Sequence, residues 1–309
     1  MRPLAVLLIL APTAVAADAP SAKLLDKSQI SVRKGIVYTS AGGETLRLDL
    51  AVPKTPGPHP VVVCLHGGAW KFGDRSELSR TPLDPELNKM SHGLSMIEGL
   101  AARGFAAATV DYRNVPRCTF PAPLEDCKTA VRFLRAKAKE YDLDGSRVAA
   151  LGFSAGGHLA ALLGLTDSSA GFDGTAYSDQ SSKVNCVVDL FGPTDLTLYA
   201  VSEGLNAGFM VPLLGPKAKE GTDLHKKASP INYVTKDAPP FLVVHGTVDF
   251  IVPIIHSERL VAKLKACGDE CEFVKVSGKG HGWSGEAARE TTETVTKFLK
   301  AHLVSGGMK

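Results

Sequence analysis

Short runs of consecutive apolar residues recur along the chain, and between them lie longer stretches of helical period. Residues 31–52 alternate apolar and polar positions around Gly42-Gly43, the pattern of an antiparallel hairpin. Val61–Leu65 is a β-branched apolar run ended by Gly67-Gly68, and Phe105–Val110 is a second such run, ended by Asp111-Tyr112-Arg113. Leu124–Lys139 has helical spacing, with Ala130, Phe133 and Leu134 on one face. Arg147–Gly152 reads as a short buried strand and Ala155–Leu163 as a helix of small residues. Cys186–Phe191, Phe241–Val244 and Glu272–Val276 read as three more strands, and residues 286–303 as a closing amphipathic helix.

Wholly apolar short strands that alternate with helices imply a mostly parallel central sheet covered by helices on both faces, an α/β fold. The stretch from about residue 196 to 236 breaks that rhythm, being rich in Gly, Pro and charge. It is expected to be an insertion lying as a small cap over the C-terminal edge of the sheet.

The N-terminus has a different character. Arg2 precedes an apolar run from Leu4 to Leu10, and Ala14-Val15-Ala16 matches the small-x-small pattern cut by signal peptidase. Residues 1–16 are therefore expected to be a signal peptide, and residues 17–309 a single α/β domain that carries the insertion at about 196–236. That predicts a secreted or periplasmic protein. No later segment approaches the roughly 18 apolar residues that a membrane-spanning helix needs.

Composition adds little beyond this frame. With 44% hydrophobic and 22% charged residues, the chain of 309 residues is ordinary for a globule with a large core. A net charge of +3, spread along the chain, gives no argument for nucleic acid or an acidic membrane as a partner. The six cysteines carry more information. Cys118 and Cys127 flank a Pro-containing loop and Cys267 and Cys271 a tight turn, so each pair is a candidate disulfide in an oxidising compartment. Cys64 and Cys186 lie inside apolar runs and read as buried thiols. Neither paired CxxC nor HExxH spacing occurs, so no metal and no organic cofactor is expected.

The chemistry concentrates where strands end. Gly152-Phe153-Ser154-Ala155-Gly156 is a G-x-S-x-G between a buried strand and a helix, the setting of a nucleophile elbow. Alone the motif is weak, since it also describes a tight glycine turn. A serine needs a base, and His281 in Gly280-His281-Gly282 follows the last strand. Of the other histidines, His245 ends a strand and suits a packing role. His158 points away from Ser154 one turn into its helix, and His256 opens a helix where it could cap or sit exposed. Asp249, directly after the Phe241–Val244 strand, is the acid expected to orient His281, with Asp195 as the rival. The order Ser154, Asp249, His281 is that of the α/β-hydrolases. His66-Gly67-Gly68-Ala69-Trp70 follows the Val61–Leu65 strand, where an oxyanion loop belongs. The N–H groups of Gly68, Ala69 and Ala155 are the proposed donors. Trp70 and Trp283 are candidate walls of the substrate pocket.

With these motifs assembled, His66-Gly-Gly-Ala-Trp70, Asp111-Tyr-Arg113, Gly152-Phe-Ser-Ala-Gly-Gly-His158, His245-Gly-Thr-Val-Asp249 and Gly280-His281, the chain resembles α/β-hydrolase esterases of the hormone-sensitive-lipase-like group. Within that group it is most similar to the branch holding bacterial feruloyl and acetyl-xylan esterases. The likeness runs from about residue 35 to 303. It implies a triad of Ser154, Asp249 and His281, with oxyanion donors at Gly68 and Ala69. Many relatives carry a third glycine where this chain has Ala69; a backbone donor survives that change. The resemblance implies a carboxylesterase acting on a small-molecule or polysaccharide-linked ester. HGGxW also resembles kynurenine formamidases, so an amide-directed hydrolase is the alternative, and export argues against it. A catalytically dead hydrolase fold used for binding is the reading from another class. Acyl length, natural substrate and oligomeric state are not set by the sequence.

Overall fold

A computed structural model describes residues 24–80, 93–200, 204 and 206–304, so the expected leader at 1–16 lies outside the described residues. The chain adopts the α/β-hydrolase fold. Eight strands form one sheet in the order β1-β2-β4-β3-β5-β6-β7-β8. β1 (Ile30–Ala41) and β2 (Glu44–Pro53) make the antiparallel hairpin that turns at Gly42-Gly43, and β2 also pairs antiparallel with β4 (Ala106–Val110). The remaining pairs, through β3 (His59–Leu65), β5 (Leu143–Phe153), β6 (Cys186–Leu190), β7 (Phe241–Gly246) and β8 (Cys271–Val276), are parallel. Parallel strands bring all their C-terminal ends to one edge, where ligands bind in open α/β sheets.

The central strands β3, β4, β6 and β7 are buried along their whole length, on both faces, which is why they are apolar almost without a break rather than at every second position. Successive side chains serve opposite layers. Val61, Val63 and Leu65 join the core beneath α2 (Ala122–Ala136), α3 (Ala155–Leu165) and α4 (Ile255–Cys267). Val62 and Cys64 join the core beneath α1 (Met96–Ala101) and α5 (Glu286–Leu303). Between β6 and β7 the described residues of the 196–236 stretch include short helical turns at Thr197–Ala200, Val211–Leu214 and Asp223–Lys227.

Two expectations need correction. All six cysteines are free. Cys127 is buried on the core face of α2, whereas the thiol of Cys118 turns to the carbonyl of Arg113, 3.4 Å away. Cys267 ends α4 and Cys271 begins β8, and the Cys271 thiol turns to the carbonyl of Glu272. Nearness in sequence does not align the Cβ vectors that a disulfide needs. Burial pushes the thiols up, to about 11 for Cys118 and about 12 for Cys271, so they are poor nucleophiles. His256, expected to cap a helix or stand exposed, is instead buried in α4, where its Nδ1 accepts from the Asp195 N–H and its ring stacks on Tyr199.

Candidate active site

The predicted residues lie on four loops at one edge of the sheet, those after β5, β7, β8 and β3. The first is the elbow between β5 and α3. Ser154 has φ +53°, ψ −119°, a backbone conformation that L residues avoid unless the surroundings impose it. Its N–H donates to Leu190 O at 2.9 Å, and its carbonyl accepts from His158 N–H to start the helix. The flanking glycines are required by space. A Cβ at 152 would sit 2.0 Å from Gly156 O, and one at 156 would sit 2.1 Å from Leu65 O. Only glycine lets β3, β5 and α3 approach this closely.

Two further loops deliver the partners of Ser154. Nε2 of His281 lies 2.9 Å from the Ser154 hydroxyl, and Nδ1 lies 2.7 Å from Asp249 Oδ2. The carboxylate accepts at Nδ1–H, which leaves Nε2 free to accept the serine proton. Asp249 is wholly buried and the ring of His281 is 18% exposed, so the base can reach solvent while its anchor cannot. The other oxygen of Asp249 accepts from the N–H groups of Ile251 and Val252, both at 2.9 Å. The two loops are joined by Val248 N–H donating to Lys279 O. Asp195 lies elsewhere, paired with Arg259 at 2.8 Å.

The loop after β3 is held left-handed at three successive residues, Gly68 at φ +103°, Ala69 at +53° and Trp70 at +59°. Glycine is obligatory at 68, where a Cβ would fall 2.2 Å from Phe72 O. Among the described residues, the N–H groups of Gly68 and Ala69 donate to no backbone acceptor. Ala69, Ala155, Ser154 and Trp70 line an open pocket of about 30 Å³, to which Tyr199, Phe209 and Met210 of the 196–236 segment also contribute. Trp283 is placed differently. It lines a separate apolar cavity of about 240 Å³ with Met96, Leu151, Phe153, Phe191 and Val295.

His158 links these parts. It accepts from Trp70 Nε1–H at Nδ1 (3.1 Å) and donates from Nε2 to Ala228 O (2.7 Å), tying the β3 loop through α3 to the 196–236 segment. Burial pushes it down to about 4, so it is neutral. Sequence reasoning passed over several supports. Tyr112 stacks on His66 at 4.2 Å and donates to the His66 carbonyl. Arg113 clamps Asp126 through two nitrogens, and Arg75 bridges Asp49 and Asp111, each at 2.9 Å. Asp111-Tyr112-Arg113 carried that signal, three hydrogen-bonding side chains at the end of a core strand. Phe191 carried none.

Among the described residues no cluster of His, Cys, Asp or Glu is arranged to hold a metal ion, and no helix is long and apolar enough to cross a membrane.

The chain is similar in sequence or in shape to several known proteins. The family model described as BD-FAE matches residues 48–264. Esterase LipC from Mycobacterium tuberculosis is 31% identical over 250 residues, which are 78% of this chain and 58% of LipC. The chain spans about half the length of the curated relatives it matches, 46% of LipM and 61% of LipQ, both also from Mycobacterium tuberculosis. Among solved structures, a truncated carbohydrate esterase from gut microbiota superposes with TM-score 0.72 at 26% identity, over 90% of this chain and all of the other. A bifunctional GH43-CE protein of Bacteroides eggerthii gives TM-score 0.73 at 30% identity, over 88% of this chain and 38% of its own.

Proposed function

The chain belongs to the BD-FAE family of α/β-hydrolases, and on that premise we propose that it is an exported serine carboxylesterase that removes short acyl groups, acetyl foremost, from a small-molecule or polysaccharide-linked alcohol. The observation that carries this reading is the hydrogen-bonded line from Ser154 Oγ through His281 to Asp249, at 2.9 and 2.7 Å, on a serine held in the elbow conformation. A hydroxyl is a poor nucleophile until a base takes its proton. His281 Nε2 takes it as Ser154 Oγ attacks the ester carbonyl. The N–H groups of Gly68, Ala69 and Ala155 receive the oxyanion, Asp249 stabilises the imidazolium, and His281 returns the proton to the leaving alcohol. Water repeats the cycle on the acyl-enzyme.

The acyl preference is argued from size. The space beside Ser154, about 30 Å³, is small next to the apolar cavity of about 240 Å³ at Trp283, and a narrow site favours a short acyl group. Export rests on the leader pattern of residues 2–16, and the mature N-terminus is then Ala17.

Initial rates on p-nitrophenyl acetate, butyrate and octanoate, acetylated xylan, methyl ferulate, and formyl and peptide amides test the reading. Acetyl esters should be turned over fastest, and Ser154→Ala should lose about a thousandfold or more. A Ser154→Ala variant near wild-type rate overturns the mechanism. A preference for octanoate overturns the acyl assignment, and a preference for amides the esterase assignment.

A further inference from the structure

We propose that Asp189 is a positioning residue of the active site, its buried carboxyl closing the turn that sets Leu190 against Ser154 and Phe191 against His281. The inference rests on the esterase reading above and extends it to a residue distant in sequence from Ser154, Asp249 and His281.

Leu190 and Phe191, the two residues after Asp189, each touch a member of the triad. The carbonyl of Leu190 accepts the N–H of Ser154 at 2.9 Å. The ring of Phe191 lies edge-on to the His281 imidazole, with centroids 4.8 Å apart at 64°, and reaches Trp283 at 5.4 Å. Phe191 does this at φ +46°, a left-handed conformation that a bulky residue adopts only when its surroundings impose it. Something must hold it there. Phe191 N–H donates to Val244 O on one side, and on the other Asp189 Oδ1 accepts from Gly192 N–H at 2.9 Å, closing the turn across Phe191.

The elbow helix closes on the same carboxyl. A Cβ at either Gly157 or Gly192 would lie 2.4 Å from Asp189 Oδ1, so the first turn of α3 and the turn after β6 both pack onto it. Asp189 is completely buried, and among the described residues its Oδ2 has no hydrogen-bond partner. A carboxyl in that place is a poor choice for a core that needs only to be filled. Its use is the acceptor it offers to Gly192. Burial pushes the carboxyl up to about 7. The contact with Gly192 N–H asks only for an oxygen acceptor, which asparagine also offers.

The test compares Asp189→Asn, Asp189→Ala and Phe191→Leu with the wild-type full chain. The readouts are kcat and KM on p-nitrophenyl acetate, the rate at which a fluorophosphonate probe labels Ser154, and the melting temperature. Asp189→Asn keeps the acceptor and should hold kcat and labelling within about threefold of wild type. Asp189→Ala should lose about tenfold or more in both, with KM within about twofold, because a displacement near 1 Å at a reacting group costs up to about a hundredfold. A purely structural role would lower the melting temperature and leave kcat per labelled site unchanged. Phe191→Leu removes the ring without touching the carboxyl and carries the test should Asp189→Ala fail to fold; it should slow labelling similarly. Wild-type kcat and labelling in folded Asp189→Ala or in Phe191→Leu overturns the proposal, as does Asp189→Asn as slow as Asp189→Ala. A wild-type protein that takes no label sinks the esterase reading instead, a result distinguishable from either.

Discussion

Asp249 uses both of its oxygens. One accepts from His281 Nδ1–H and the other from the N–H groups of Ile251 and Val252. Asparagine at 249 is nearly the same shape, yet its amide can present N–H toward Nδ1 and leave the histidine in the wrong tautomer. Asp249→Asn should therefore lower kcat by roughly a thousandfold to ten-thousandfold while the melting temperature barely moves. A loss below tenfold would mean the carboxylate is dispensable. The buried histidines give a pH prediction. Burial pushes both His158 and His256 down to about 4. A group whose folded value lies below its unfolded value of about 6.5 is protonated first in the unfolded chain. Its stabilising share is thus complete above about pH 6.5 and lost as pH falls toward 4. Asp189, raised to about 7, acts in the opposite sense across the same window, so the test is made on the imidazoles themselves. Nitrogen-15 spectra at pH 5.5 should show His158 and His256 still neutral with the proton on Nε2, since each Nδ1 accepts a hydrogen bond. An ordinary midpoint near 6.5 at either ring would contradict the burial.

At the scale of elements, close approach decides the elbow. Gly156 lets α3 start against the last carbonyls of β3, with Leu65 O where a methyl would have to go. Gly156→Ala should destabilise by about 2–3 kcal/mol and lower activity, because backbone cannot yield as a side-chain tip can. A variant with unchanged melting temperature would show that the approach is looser. Most strands could be read in advance because a sheet covered on both faces needs nearly continuous apolar runs, and Val61–Leu65, Phe241–Val244 and, but for Asp189, Cys186–Phe191 supply them. The short helix at Met96–Ala101 escaped notice, as six residues make too few turns for a period to show. The disulfide expectation failed for a related reason. Spacing along the chain says how far apart Cys118 and Cys127 are and nothing of which way their side chains point. The supports of the site, Tyr112 on His66 and Phe191 on His281, are contacts between distant segments, and no local pattern encodes them.

For the whole molecule, the parallel order from β4 to β8 turns four separate loops into one site. That is why residues as distant as Gly68, Ser154, Asp249 and His281 could be chosen from strand ends alone. With its cysteines free, the fold stands on its two apolar layers rather than on cross-links. Adding a reductant should therefore leave the melting temperature unchanged; a drop of several degrees would show that a disulfide holds the protein together. The central claim is that an imidazole held by Asp249 makes Ser154 the reactive nucleophile. Peptide mass mapping after treatment with a fluorophosphonate tests it most directly. The account predicts one adduct per chain, on the peptide carrying Ser154, and its loss in His281→Gln. An adduct on another residue, or labelling of His281→Gln at the wild-type rate, would contradict it.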